Sequence, residues 1–406
     1  MVNKHVCIVT QAHLCSNPRV VKEACLLAEM GFKVSILTCK YEEKVFLADK
    51  QLIPSSVELK PFADLSNKKL KTFILKMKRK TSILAFKKLN IKTPGALGYG
   101  YQLLLKKALQ ENADLYICHQ EMATIAGTAL IKKGKKVAFD LEDWYSEDLT
   151  ENARAERPIT LLKKHEKIAL TQGLFCITTS NSMAEAMAEY YRTSKPSVVY
   201  NTFKKRKPDQ KVIEKDRNNN IIPSLIWFSQ TIGPGRGLEK LIEALNMINT
   251  PVQLHLRGRV NLIYKEQLLS TFNNTRHKIY FHELINPDEL PYRLAQHDIG
   301  LALEPDNPLN TNLTISNKII QYLQAGLAVI ASNTKGQSEL AQKANDCIRL
   351  FNQDDAVGLA KHIENLITQT DELRTTKKKS LEIFEHKLCW EIEKEKYKEI
   401  ILQSLF

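Results

Sequence analysis

The feature that most constrains this chain is an alternation. Short unbroken apolar runs are followed by longer segments whose apolar residues recur every three or four positions. The first run, Val6-Cys-Ile-Val-Thr10, suits a strand covered on both faces. Ser16-Asn17-Pro18 then supplies a capping-type residue and a first-turn proline, and Val20, Val21, Ala24, Leu27 and Ala28 recur at helical spacing. Gly31 stands where a glycine ends a helix, and Lys33 to Thr38 is a second strand. Strand, helix, strand in this order is a βαβ unit, and such units build parallel sheets.

The pattern predicts further strands at 114–118, 136–140, 174–179 and 197–200, with helices at 122–132, 160–171 and 183–191. A polar, basic run from Lys204 then marks a linker at about 203–222. A second alternation follows. Its strands are expected at 225–229, 252–257, 278–281, 299–303 and 328–332, and its helices at 238–249, 262–272, 287–295 and 316–325. A chain of 406 residues is too long for one ordinary core. We therefore expect an α/β protein with two Rossmann-like, doubly wound domains, 1–205 and 206–384. A charged helical segment at about 385–406 is long enough to pack back on the first. Ligands of such sheets bind beyond the carboxyl ends of the strands, so two facing sheets are expected to form a central cleft.

Composition narrows the function classes. The eight cysteines never form CxxC, which argues against a disulfide framework or a zinc site and favours the cytoplasm. The apolar run at 6–10 is too short for a signal-peptide core, and no stretch approaches the ~18 apolar residues of a membrane span. Thr10 to Pro18 holds no GxGxxG, which argues against a nicotinamide enzyme. The net charge of +14 is uneven: no acidic residue lies between Asp64 and Glu111, an interval carrying twelve lysines and arginines. Within it Leu70, Phe73, Ile74, Met77 and Leu84 fall on one helical face with lysines on the others. A basic amphipathic helix over residues 68–92 is expected to bind an anionic membrane surface. Nucleic acid is not expected, because the block has few aromatics to stack on bases.

Several segments share a resemblance. Ser16-Asn-Pro-Arg-Val20 with Glu23 and Leu27-Ala-x-x-Gly31 looks like the first βα unit of family-four retaining glycosyltransferases of GT-B fold. Phe139-Asp-Leu-Glu-Asp-Trp-Tyr-Ser-Glu147 is similar to that family's strand-Asp-x-His-Glu segment. Ser229 to Leu238, Leu256 to Arg259, and Ile315-Ser-Asn-Lys-x-x-x-Tyr-x-x-x-Gly326-Leu-x-Val-Ile330 resemble its donor-side motifs. The resemblance implies transfer of a sugar from a nucleotide-diphosphate sugar to a glycan or lipid-linked acceptor in cell-surface polysaccharide synthesis. It implies retention, with no metal or other cofactor, in the cytoplasm and peripherally on the inner face of the cell membrane. The alternatives are an inactive glycosyltransferase-like partner subunit and a sugar-nucleotide epimerase.

The donor side is expected in the second domain. Gly233, Gly235 and Gly237 line a strand-to-helix turn whose amides suit a diphosphate, and Arg236 adds a charged fork. Lys318 is expected to reach the same phosphates, with Asn317 shaping the loop and Arg257 at the cleft edge beside Arg259. Many relatives carry two glutamates eight residues apart; here those places hold Leu313 and Gln321. Gln230 stands where many relatives have arginine. On the acceptor side the candidates are Asn17, Arg19, His119, Asp140, Glu142 and Asp143. Glu142 and Asp143 take the places of the family's His and Glu, and a carboxylate there orients an acceptor hydroxyl or takes its proton.

Overall fold

Each parallel strand needs a crossover to reach its neighbour, and among the described residues thirteen strands find theirs in two separate sheets. The computed structural model describes residues 4–206 and 222–405. The chain divides into two units: residues up to Val199 together with those from Lys396 onward, and Tyr200–Glu395. The linker expected at about 203–222 lies largely outside the described residues.

The first unit is built on β1 (His5–Val9), β2 (Lys33–Lys40), β3 (Val57–Asp64), β4 (Leu115–His119), β5 (Val137–Leu141), β6 (Cys176–Thr178) and β7 (Ser197–Val198). Their order in the sheet is β3-β2-β1-β4-β5-β6-β7, and every pairing is parallel. β1, β4 and β5 are covered on both faces, which is why they read as unbroken apolar runs. Strand β3 escapes that pattern. It is an edge strand, half exposed, with Glu58, Lys60 and Pro61 in its middle. The core beneath the sheet includes Cys7, Val9, Leu37, Tyr116, Cys118 and Phe139.

The second unit is built on β8 (Ser224–Ile232), β9 (Gln253–Val260), β10 (Lys278–His282), β11 (Ile299–Ala302), β12 (Ala328–Ser332) and β13 (Ile348–Phe351). The order is β10-β9-β8-β11-β12-β13, again all parallel. Strand β8 runs three residues beyond the expected Ser229 and reaches Ile232, because a bulge carries Ser229 and Gln230 past the partner strand. There Phe228 pairs Arg257 and Thr231 pairs Arg259. Gly258 makes the bulge possible: its φ is 156°, and a Cβ would sit 2.4 Å from the Ser229 carbonyl oxygen.

The Leu70–Leu89 helix has two working faces. Thr72, Leu75, Arg79, Ser82, Ile83 and Phe86 turn inward, with Arg79 4.5 Å above the Tyr99 ring. On the opposite face Leu70, Phe73, Ile74, Met77 and Leu84 are 42–74% exposed. No helix among the described residues is long and apolar enough to cross a membrane.

The Asn317–Ala325 helix, which carries Lys318, is seated by a close approach to β11. Gly300 lets the Tyr322 ring lie against the strand, where a Cβ would meet ring carbon at 2.2 Å. The Tyr322 hydroxyl donates to the Leu301 carbonyl at 3.1 Å. Gly300→Ala forces the ring off this contact. Overpacking of this kind costs about 1–3 kcal/mol. We predict a lowered urea midpoint with an unchanged m-value in the Gly300→Ala variant.

Candidate active site

In the first unit the candidate residues gather at the carboxyl ends of β1, β4 and β5. Asn17 caps the Pro18–Glu29 helix: its Oδ1 accepts from the Val20 amide at 3.3 Å. Its Nδ2 donates to Glu142 Oε1 at 2.7 Å, so one side chain ties the helix start to the segment after β5. Four residues apart on that helix, Arg19 and Glu23 share the face that meets the sheet, and both are buried. Arg19 Nε donates to Asp140 Oδ2 at 2.7 Å and Nη1 to the Val199 carbonyl at 2.9 Å.

His119 is the centre of this group. It ends β4 beside Asp140 in the register of β5 and is fully buried. Its Nδ1 lies 2.8 Å from Glu142 Oε1 and its Nε2 2.5 Å from Glu23 Oε2. Burial raises the Glu23 carboxyl above its ordinary value against the pull of His119; where both carboxyls are ionised, the ring between them carries a proton on each nitrogen. Burial alone would lower its pKa, but the Glu23 charge and hydrogen bonds to both carboxylates raise it well above the ordinary histidine value. For Glu142, burial works upward, while the hydrogen bond and charge of His119, with Asn17 and Arg19, carry the carboxyl below its usual range. Its side chain is 17% exposed, in reach of a solute. Asp143 follows it, half-exposed, and its charge acts on Tyr145.

Two expectations change here. Arg19 and Asp140 were expected to meet an acceptor; they are 4% and 0% exposed and neutralise each other, so they brace the site rather than offer a contact. Gln120 was not foreseen. Its φ of 70° and ψ of 171° are costly for a residue with a Cβ. Its Oε1 accepts from Thr10 Oγ1 at 2.9 Å and the Gln11 amide at 3.0 Å, and its own amide donates to the Tyr145 hydroxyl at 3.1 Å. It locks the turns after β1, β4 and β5 together. A positive φ at glutamine has no sequence signal.

In the second unit the glycine turn lies between β8 and the Leu238–Met247 helix. Gly235 and Gly237 have φ of 72° and 76°, and Gly237 packs on Leu303, whose Cβ would lie 2.6 Å from an added one. Gly233 is buried at the base of the turn. Arg236 is exposed, with Nη1 donating to Ser229 Oγ at 3.1 Å. Ser316 caps the Asn317–Ala325 helix, and Lys318 follows in its first turn. Gln230 is exposed in the bulge of β8. Arg257 donates to the Glu283 carbonyl at 2.9 Å, and Arg259 is exposed. Asn317 is exposed and accepts from Asn201 at 3.3 Å. Leu313 and Gln321 are both buried, 1% and 8% exposed.

The residue missed on this side is Glu304, just beyond β11. Its Oε1 accepts from Lys318 Nζ at 2.5 Å and Ser316 Oγ at 2.8 Å. Its backbone carbonyl accepts from Ser332 and Gln353. Burial pushes its carboxyl up, but Lys318, Ser316 and Arg236 outweigh that and hold it below the usual range. Arg236, Lys318 and Glu304 thus form one cluster with two cations and one anion. Its only sequence signal is an acid directly after a buried strand.

Residues 223–369 match the family model of glycosyl transferases group 1. Sucrose-phosphate synthase from Thermosynechococcus elongatus superposes with a TM-score of 0.70 at 15% identity, over 99% of this chain and 99% of that one. Anabaena HepE, in a structure with UDP, gives 0.67 at 15% identity over 98% and 100%. WaaG, a glycosyltransferase involved in lipopolysaccharide biosynthesis, gives 0.61 at 14% over 97% and 99%. No curated protein matches the sequence. The fold of the chain is thus that of GT-B proteins, and the stretch matching the group 1 glycosyl transferase model lies within the second unit.

The Lys318–Glu304 pair is partly buried, 14% and 18% exposed. Removing one partner strands the other charge, whereas removing both is nearly neutral. We predict that Lys318→Met costs about 2 kcal/mol at neutral pH. The double variant with Glu304→Leu recovers most of that loss. Because the pair holds the Glu304 carboxyl below its unfolded value, its stabilisation is present above the unfolded pKa and fades as pH falls through the folded one. Urea titrations of the four proteins at neutral and acid pH give the coupling energy, which shrinks on acidification.

Proposed function

We propose that the chain moves a sugar from a nucleoside-diphosphate sugar to a glycan or lipid-linked acceptor of a cell-surface polysaccharide. The transfer proceeds with retention and without a metal, at the inner face of the cell membrane. The observation that carries this reading is the cluster in the second unit. Amides at the start of the Leu238–Met247 helix stand beside Arg236 and Lys318, at the carboxyl edge of a parallel sheet. In the transfer, the acceptor oxygen bonds to the anomeric carbon as the bond to the β-phosphate breaks. The departing phosphate oxygen gains charge and takes the acceptor's proton. Fixed cations and amides at that oxygen stabilise the transition state more than the ground state. Glu304 holds Lys318 in place beforehand, at the cost of part of its charge. On the acceptor side, Glu142 is ionised, braced and within reach of solvent.

The solved structures of HepE with UDP and with UDP-glucose support the choice of a nucleotide-sugar donor. Leu313 and Gln321 favour a second reading, a partner subunit that binds nucleotide without turnover, because neither supplies the charge found in many relatives. One set of measurements separates the two. Calorimetry with UDP, and release of UDP from UDP-glucose with candidate acceptors, are made on wild type, Arg236→Ala and Lys318→Ala. We expect wild-type binding and turnover, with each variant losing about ten-fold or more in kcat/KM. Binding without turnover establishes the partner reading. Full activity in both variants removes the site assignment.

The Leu70–Leu89 helix supplies the membrane contact in this proposal. Its outer apolar residues are flanked by Lys76 and Lys80 on one side and Lys71 and Lys78 on the other. Each lysine near an anionic leaflet contributes about 1 kcal/mol, and the apolar side chains add their burial. We predict flotation with phosphatidylserine vesicles that weakens as salt rises and is lost in Phe73→Asp/Met77→Asp, with UDP binding unchanged. No flotation of wild type at low salt ends this part of the proposal.

A further inference from the structure

Glu23 is spent in a way that stability does not explain. It lies 1% exposed on the Pro18–Glu29 helix, ninety-six residues from the histidine it meets. One oxygen, Oε2, meets His119 Nε2 at 2.5 Å. The other, Oε1, is buried with no protein partner, as are Arg19 Nη2 and Asp140 Oδ1 nearby. Each such atom costs about 1–3 kcal/mol, so a group assembled only to hold the fold would not collect three. The outcome of the arrangement appears at its far end. His119 Nδ1 and Asn17 Nδ2 both engage Oε1 of Glu142, while Oε2 of Glu142 takes no partner among the described residues. The line Glu23–His119–Glu142 runs from a sealed interior to a carboxylate that is 17% exposed.

We propose that Glu23 is a positioning residue: by holding the far nitrogen of His119 it fixes the ring, and through the ring it presents Oε2 of Glu142 to an acceptor hydroxyl. The assignment rests on the transfer reaction proposed above. Glu23 touches no substrate, and its effect reaches the site only through the imidazole. Charge makes the device directional. With Glu23 ionised, both ring nitrogens donate, and Glu142 stays an anion facing a cation. The charged and titratable groups facing the ring are Glu23 and Arg19 from the Pro18–Glu29 helix, Asp140 on β5, and Glu142 after it. Asp143, Glu142 and Asp140 act in turn on Tyr145, and Glu23 acts on Cys118. Three carboxylates thus share two close cations, and removing the Glu23 charge weakens the hold on the ring proton.

The test uses the full chain and two readouts. The protonation of His119 is followed by nitrogen-15 NMR of labelled histidine, with the signal assigned by its loss in His119→Gln. In wild type we expect a doubly protonated ring through neutral pH. Glu23→Gln, of the same shape, moves loss of the ring proton to lower pH. In UDP release with acceptor it lowers kcat about ten-fold with little change in the donor KM, and it draws the alkaline limb of the pH profile downward. Glu23→Asp keeps the charge at shorter reach and retains more activity than Glu23→Gln; a packing role gives the opposite order. The proposal is overturned by a neutral His119 ring in wild type at neutral pH, a judgement that needs no variant to fold. It is equally overturned by an identical ring titration in wild type and Glu23→Gln, or by a wild-type pH profile in that variant. Wild type that binds UDP but turns over no donor ends the transfer reading and this role with it, whereas an unchanged ring titration in an active enzyme ends this role alone.

Discussion

Parallel strand pairing is the constraint on which the rest of this molecule depends. In each unit it brings the carboxyl ends of all strands to one edge, where the chain must leave the sheet and turn into a helix. The candidate residues stand at those exits. His119 ends β4, Glu142 is one residue past β5, Glu304 two past β11, and the glycine turn begins directly after β8. Strands β4, β5 and β11 are buried along their whole length, so the positions at their ends are held by a rigid layer rather than by loops.

The two edges use charge in opposite ways. In the first unit a histidine and an arginine are sunk among three carboxylates, and the carboxylate that reaches solvent is the one fixed by two donors. In the second unit two cations flank a single acid, and one of them, Arg236, is exposed. An anionic brace suits the approach of a hydroxyl, and a cationic rim suits a phosphate. Neither edge leans on the glutamate positions that Leu313 and Gln321 fill with uncharged residues.

Much of the architecture was legible in the sequence because doubly covered strands are unbroken apolar runs, as at 6–10 and 115–119. Two of the edge strands hid for the same reason inverted: β3 mixes Glu58, Lys60 and Pro61 with apolar residues, and β13 has Arg349 inside it. In the site, glycine turns, Lys318 and the acids after β5 were visible as motifs. Partnerships were not. Nothing in local spacing says that Arg19 turns inward to Asp140, that Glu23 finds His119 ninety-six residues away, or that Glu304 meets Lys318. Those pairs are set by which helix face meets which strand end. The strained backbone at Gln120 is likewise a product of three turns converging.

The two-faced helix at 70–89 has a further consequence. Amphipathic segments that order only on contact give up much of their binding energy to the loss of chain freedom. Here the inward residues, from Thr72 to Phe86, have already met that cost by packing on their own unit. The outer leucines, phenylalanine and methionine therefore stand on a rigid rail, and an apolar phase that meets them gains their burial in full. If that phase is the membrane proposed above, neither docking nor release requires the helix to refold.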